Sequence, residues 1–153
     1  MPEKATLCFV MHKDKILMQN RVKPPFMGMW NAVGGHLLAG ESAEDCAKRE
    51  IKEESGVIVD SVKLISEFTW NYDDEIGYAF LSVLPDDFDE SRFPLATDEG
   101  IVAFLPVSWV LNPKNYGVIE DLRVFLNDIN RGEFHDYHLV YEQKKLLKAV
   151  VKK

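Results

Sequence analysis

From Gly35 to Val57 the chain reads GHLLAGESAEDCAKREIKEESGV. A glycine is followed by five residues, Glu41, seven more residues, and then Arg49-Glu50-Ile51-Lys52-Glu53-Glu54-Ser55-Gly56-Val57. Glu50, Glu53 and Glu54 stand close together in a segment entered from a glycine-rich turn. Carboxylate oxygens at this density suit a hard divalent cation, which takes oxygen ligands and keeps coordination positions for substrate phosphates. The chemistry to expect is Mg²⁺, or Mn²⁺, held against a pyrophosphate.

The helix that must carry these acids has a legible start and stop. Ser42 is a good N-cap, and Glu44 and Asp45 put negative charge in the first turn, where the helix dipole favours it. Ser42 with Asp45 approximates a capping box, although glutamate is the usual partner. Gly56 is a natural C-terminal stop. The helix is therefore expected over 43–55. At about 100° per residue, Ala43, Cys46, Ala47 and Ile51 form one apolar stripe. Glu50 and Glu54 fall inside that stripe, Glu53 lies at its edge, and Lys48 and Lys52 lie opposite. A solvated, charge-laced helix would not put its acids beside Cys46 and Ile51. Buried carboxylates need a cation or a metal.

These residues resemble a known family. Gly35, Glu41, Arg49, Glu50, Ile51, Glu53, Glu54, Gly56 and Val57 reproduce the Nudix box over residues 35–57 with both spacers. The resemblance implies a Nudix hydrolase: an α/β protein, an α/β/α sandwich with a mixed sheet between helices, which cleaves nucleoside diphosphates linked to another moiety with Mg²⁺. It implies metal-binding roles for Glu50, Glu53, Glu54 and the Gly35 carbonyl. Arg49 would orient the acids, and Glu41 would be its structural partner. Leu38 departs from the many members that carry an acid there, at a wildcard position of the box.

The remaining composition bounds the reading. A chain of 153 residues suits one domain over 1–153 with its own core. An apolar content of 46% and a charged content of 28% are ordinary for a globular protein. The net charge of −7 disfavours a nucleic-acid duplex but does not oppose a small nucleotide arriving with its cation. Cys8 and Cys46 form no C-x-x-C pair and read as small core residues in a reducing, cytoplasmic setting. The first apolar run, 5–11, is too short for a signal peptide or a membrane span.

Along the chain, runs 5–11 and 15–21 flank His12-Lys13-Asp14 as a hairpin. Val22 to Met29, with Pro24, Pro25 and Gly28, reads as a loop, and 30–33 as a short strand into Gly34-Gly35. After the helix, 58–70 is β-rich with a turn near Asp60-Ser61, 71–75 is a turn, and 76–84 is a strand. Residues 85–100 form an acidic connection, 101–105 a strand, and 106–110 a turn or short helix. Apolar spacing predicts a helix over 118–130 stopped by Gly132. A last strand covers 135–141, before a solvated lysine-rich tail. Strands, helix, strands, helix fit a mixed sheet covered on two faces.

Other residues could complete a site. Glu99, after Asp98 and before a strand, resembles the acid outside the box that completes the metal site or acts as base in this family; Glu90 or Glu75 could substitute. WNAVGG resembles the entry of enzymes that hydrolyse 8-oxo-dGTP and related nucleotides, where the Asn31 equivalent contacts the purine. An amide can read a base edge, or Asn31 can bond its own loop backbone. In the same subgroup an acidic pair like Glu120-Asp121 faces the base; it could equally be a partner for the helix dipole. Arg21 and Lys23 could contact a triphosphate or be solvated. Phe26, Met27 and Met29 could floor a base pocket or pack on the core. His135 and His138 fall on opposite strand faces and make no metal pair.

The expected reaction is Mg²⁺-dependent hydrolysis of a nucleoside triphosphate to monophosphate and pyrophosphate, with Glu53 or Glu99 as general base and 8-oxo-dGTP or a related oxidised purine nucleotide as substrate. The rivals are a Nudix pyrophosphatase acting on ADP-ribose, a dinucleoside polyphosphate, NADH or capped RNA, and a non-catalytic nucleotide sensor.

Overall fold

The computed structural model describes residues 2–24, 26–143 and 145–152. Pro25 of the first long loop, and Lys144 and Lys153 of the tail, lie outside them. The elements are β1 (Lys4–His12), β2 (Lys15–Arg21), β3 (Trp30–Ala32), α1 (Ala43–Ser55), β4 (Lys63–Trp70), β5 (Ile76–Val83), β6 (Leu95–Thr97), β7 (Gly100–Pro106), α2 (Val107–Leu111), α3 (Asp121–Arg131), β8 (Tyr137–Glu142) and β9 (Lys145–Val151).

Among the described residues, all nine strands join one sheet in the order β6-β7-β2-β1-β5-β4-β8-β9, with β3 added beside β2. β1–β5 and β4–β8 are parallel and the other pairs antiparallel, so the sheet is mixed. The two-residue side-chain period of β1 feeds two cores. Leu7, Phe9 and Met11 join Phe68, Leu122, Phe125, Leu126 and Leu139 beneath α3. Cys8 and Val10 point the other way, onto Ala47 and Ile51 of α1 with Leu17, Phe80 and Phe104. Helices thus cover both faces, the expected α/β/α sandwich. Both cysteines are buried and unpaired, and no helix among the described residues is long and apolar enough to cross a membrane.

One irregularity shapes the site. β1 and β2 pair only next to their turn, at Met11↔Ile16 and His12↔Lys15. Beyond it they splay, and β3 takes the place of β1 beside β2 through Met18↔Ala32, Gln19↔Asn31 and Asn20↔Trp30. Cys8 then bridges to Val33, and the Thr6 N–H donates to the Gly35 carbonyl at 2.8 Å. The glycine turn that leads into α1 is therefore tied to β1, and a cleft opens where the two strands part.

Several boundaries differ from the sequence reading. Residues 58–62 form no strand: Val57 and Val59 bury into the α1-side core without a ladder partner. The acidic connection contains β6, which pairs with β7 through a two-residue turn at Asp98-Glu99. α3 begins at Asp121, because Val118 bridges to Trp30 and the Ile119 N–H donates to the Trp30 carbonyl. The lysine-rich tail, for which no strand was expected, forms edge strand β9, paired antiparallel with β8. Its Lys145 and Lys148 are exposed, and lysines on an edge strand oppose further pairing.

Candidate active site

Helix α1 follows its sequence signals. The Ser42 side chain accepts from the Asp45 N–H, and Gly56 ends the helix in the left-handed region with φ 76°. Glu54 is buried and Glu53 is exposed. Glu50 is 14% exposed at its side chain, so the wheel ordered the three acids correctly.

Arg49 organises the entry to the helix. Its Nε and Nη2 donate to the two oxygens of Glu41 at 2.8 and 2.9 Å, and Nη1 donates to Glu50 Oε1 at 2.8 Å and Glu53 Oε2 at 3.1 Å. Nη2 also reaches the His36 carbonyl at 3.2 Å. The Arg49 bonds, and the Leu38 N–H at 3.0 Å, hold the Glu41 carboxyl down at about 2. The loop, the helix start and two acids are thus clamped by one planar guanidinium. Glu50 is not unpaired, as the wheel alone suggested.

Glu54 is different. No basic side chain among the described residues pairs with it; its Oε2 accepts only from the Gly34 N–H, at 3.4 Å. Burial, then the neighbouring Glu50 and the charge on Glu99, push its carboxyl well above the usual range. Glu50, Glu53, Glu54, Thr97, Asp98 and Glu99 line one recess. The β6–β7 turn brings Asp98 and Glu99 opposite α1. That turn is possible because Gly100 sits with φ 143°, where a Cβ would fall 1.8 Å from the Asn20 carbonyl oxygen. Of the alternatives to Glu99, Glu90 is committed to His12 and Lys15. Glu75 pairs with His36 at 3.3 Å.

The Gly35 carbonyl accepts from the Thr6 N–H, from Thr6 Oγ1 at 3.2 Å and from Cys46 Sγ at 3.5 Å, which ties it to β1 and α1. What Gly35 offers the recess is its missing side chain, since a Cβ would come within 2.6 Å of the Glu50 carboxylate. A separate trio, Glu3, His36 and Glu75, brings its ligand atoms within 4.8 Å of one another at the surface. It is accounted for as His36 ion-paired to both glutamates.

From the acid recess toward the cleft between β1 and β2 lies a series of hollows, each sharing wall residues with the next. Gln19, Arg21, Lys23 and Glu99 line the next hollow. Gln19 and Arg21 continue into a cavity of about 150 Å³ with Thr6, Asn31, Gly34, Trp70 and Asp121. Arg21, Asn31, Trp70 and Asp121 continue again into a larger one of about 530 Å³, with Phe26, Tyr72, Ile119 and Tyr141. Trp70 lies 5.8 Å from Tyr72, and Tyr72 packs edge-on against Tyr141 at 5.6 Å between ring centroids.

Asn31 Oδ1 accepts from the Ala32 N–H at 2.9 Å, so the amide bonds its own backbone while also lining both cavities. Asp121 is buried, and burial pushes its carboxyl up to about 6 despite the Trp70 indole N–H 3.4 Å from Oδ2. Glu120 lines neither cavity. Phe26 reaches the larger one, whereas Met27 is exposed and Met29 lines neither. His138 bonds Thr69 and His135 pairs with Asp128, so the two are separate.

Sequence reasoning missed Gln19, Trp70, Tyr72 and Tyr141. Gln19 carried a faint signal, as a polar residue in the apolar run KILMQNR. The aromatics meet only through the β4–β8 pairing, and Asn71 locks Tyr141 by bonding both its N–H and its carbonyl, at 2.7 and 2.9 Å.

Comparison with known proteins agrees with this architecture. The family model of the NUDIX domain matches residues 1–125. The oxidized purine nucleoside triphosphate hydrolase of Mus musculus is 34% identical over 67 residues, which are 44% of this chain and 43% of that protein. The NAD-capped RNA hydrolase NudC of Vibrio parahaemolyticus is 36% identical over 65 residues, 42% of this chain and 24% of NudC. The chain thus spans less than half the length of either relative. A MutT protein from Bacillus halodurans has the same fold, with a TM-score of 0.75 at 20% identity, covering 98% of this chain and 97% of that one. With the family model covering most of its length and the box complete on α1, the chain belongs to the Nudix family of hydrolases.

Proposed function

We propose that the whole chain is one catalytic unit that hydrolyses a nucleoside triphosphate to monophosphate and pyrophosphate, with an oxidised purine nucleotide such as 8-oxo-dGTP as the favoured substrate. The observation that carries this reading is the series of hollows from the acid recess to the aromatic cavity, each sharing wall residues with the next: Glu99, then Gln19 and Arg21, then Asn31 and Asp121. A polyphosphate belongs at the acidic, basic-flanked end and a base at the aromatic end.

The donor set fits Mg²⁺ or Mn²⁺. It is all oxygen, and it includes a buried carboxylate, Glu54, crowded by Glu50 with no basic partner of its own among the described residues. Glu50, Glu53, Glu54 and Glu99 would hold the cation, which when bound offsets charge on the phosphate oxygens and acidifies water. The side chains do the rest. Arg49 fixes the aim of Glu50 and Glu53. Glu53 or Glu99 takes the proton of the water that attacks a phosphorus of the chain, and the P–O bond to the pyrophosphate group breaks. Arg21 and Lys23 receive phosphate charge, and Asn31 and Asp121 meet the base. Turnover of Glu53→Gln and Glu54→Gln tests the assignment: both should lose most of kcat and stay folded, and near-wild-type rates in both would overturn it.

A second reading keeps the chemistry and changes the substrate. The NudC similarity favours a nucleotide-capped RNA or another nucleoside diphosphate derivative, such as ADP-ribose, as the alternative to test.

A further inference from the structure

His12 ends β1 and is only 4% exposed. Its Nδ1 pairs with the Glu90 carboxylate, and its Nε2 stands 3.1 Å from the Asp86 carbonyl oxygen. Both partners are acceptors, and both lie on the connection between β5 and β6. A neutral imidazole has one N–H, so only the protonated ring donates to both. Without the proton, one ring lone pair is left buried against an oxygen, which is unfavourable. The Glu90 bond raises the His12 pKa above its ordinary value against the opposing effect of burial, and the Asp86 carbonyl adds to it. Among the surrounding charges, Lys15 of β2 shares Glu90 at 3.2 Å, and Lys13 of the β1–β2 turn opposes the proton. Asp14 of that turn, and Asp86, Asp87, Asp89 and Arg92 of the connection, are exposed. Phe88 of the connection and Phe104 of β7 meet the imidazole edge-on.

The segment held in this way leads to Glu99. The Phe93 N–H donates back to the Glu90 carbonyl at 2.9 Å, and the Phe93 ring packs edge-on against Phe104 at 5.0 Å. β6 follows with only three residues, Leu95 to Thr97, paired with β7. Thr97 Oγ1 then accepts from the Glu99 N–H at 3.2 Å. A second anchor of the turn is the Val22 N–H, which donates to the Glu99 carbonyl at 3.2 Å. A strand with so few contacts has little stability of its own, so the aim of the turn depends on how its approach is anchored. Lys15, Glu90, Phe93 and Phe104 line a hollow of about 420 Å³ beside the connection, which gives it room to shift.

We infer that His12 is a positioning residue: its protonated ring clasps the β5–β6 connection to the end of β1 and so holds Glu99 opposite the acids of α1. Loss of the proton to solvent slackens that hold. The inference rests on the part given to Glu99 in the proposed reaction and adds to it a dependence on pH. Because the folded pKa is raised, the clasp contributes stability fully below about 6.5 and loses it as pH rises through the higher folded value.

The test is NMR of the metal-free chain between about pH 5 and 9, across the range in which histidine titrates. Imidazole signals follow His12, the amides of Phe93 and Glu99 follow the connection, and the amide of Phe80 on β5 serves as control. His12 should titrate above 6.5, and the Phe93 and Glu99 amides should shift with the same midpoint while Phe80 does not. In His12→Gln those two amides should lose the transition. In Glu90→Gln, which leaves the imidazole in place, the His12 midpoint should fall toward 6.5. Turnover of 8-oxo-dGTP in Mg²⁺ adds a second readout, as the ratio of wild-type to His12→Gln kcat, in which pH effects common to both cancel. That ratio should be about tenfold below the His12 midpoint and approach one above it. A His12 midpoint at or below 6.5, a Glu99 amide that ignores it, or a kcat ratio constant with pH overturns the inference. Absence of turnover at every pH would instead remove the proposed reaction, and the NMR titrations would still decide whether His12 holds Glu99.

Discussion

Gly35 and Glu50 touch: the α-carbon of the glycine lies so close to the glutamate that a Cβ on it would come within 2.6 Å of the carboxylate. The glycine is required here for space, because the contact is with the far end of a side chain that the site must aim. Gly35→Ala should therefore leave the fold intact and displace Glu50. A misplacement of about 1 Å at a reacting centre costs on the order of 100-fold in rate, so kcat should fall by about 10- to 100-fold with an unchanged circular dichroism spectrum. Wild-type kcat in a folded Gly35→Ala protein would contradict the role given to Glu50.

Glu54 separates a structural carboxylate from a metal ligand. Its buried charge is unfavourable without a cation, so Glu54→Gln should be at least as stable as wild type in EDTA. In excess Mg²⁺ the wild type should gain several degrees in Tm, as any ligand binding only the folded state raises stability, and the variant should lose most of that gain. An equal Mg²⁺ response in both would remove Glu54 from the cation site.

Arg49→Lys tests the clamp. Lysine keeps the charge but cannot make a fork to Glu41 while also reaching Glu50 and Glu53. kcat/KM should drop by about tenfold or more. The Glu41 carboxyl, held at about 2 by Arg49, should titrate closer to an ordinary glutamate, as carboxyl NMR would record. Because the folded value is depressed, the stability from this pair is present above about 4.5 and lost as pH falls toward 2. Acid sensitivity in that window should be weaker in the variant.

Asp121 has the opposite sign. Its carboxyl is raised from 3.8 to about 6 by burial, so between those values the folded chain binds more protons than the unfolded one. Its contribution to stability is fully present below about 4 and is lost as pH rises through 6. A shift of that size corresponds to roughly 3 kcal/mol. Asp121→Asn, which can still accept from Trp70, should show a correspondingly flatter fall in ligand-free stability between pH 4 and 7, measured by urea unfolding. Parallel curves for the two proteins would mean that Asp121 is not buried as described.

Where local sequence carried the information, the reading held. Ser42, Gly56 and the wheel defined α1 and the ranking of Glu50, Glu53 and Glu54. The hairpin of β1 and β2 was legible, and alternation along β1 reflects the two cores. Where a residue acts through a distant partner, the reading failed. β6 exists because β7 pairs with it, and the lysine-rich tail becomes a strand only beside β8. Val118 and Ile119 have helical spacing, but Trp30 holds them outside α3. Tyr141 joins the cavity by the β4–β8 pairing across about half the chain, which no spacing rule could reveal. That Thr6, far upstream, bonds the Gly35 carbonyl was likewise beyond any local signal.

All these roles converge on cleavage of a nucleoside triphosphate at the Glu50, Glu53, Glu54 and Glu99 recess. The most direct measurement incubates the chain with 8-oxo-dGTP, dGTP, ADP-ribose and NAD-capped RNA, each with Mg²⁺ and with EDTA, and separates the products by anion exchange. Monophosphate and pyrophosphate should appear in equal amounts, fastest from 8-oxo-dGTP, and not at all in EDTA. Faster cleavage of ADP-ribose or capped RNA would move the substrate to the alternative reading, and the absence of Mg²⁺-dependent cleavage of all four would remove hydrolysis from this recess.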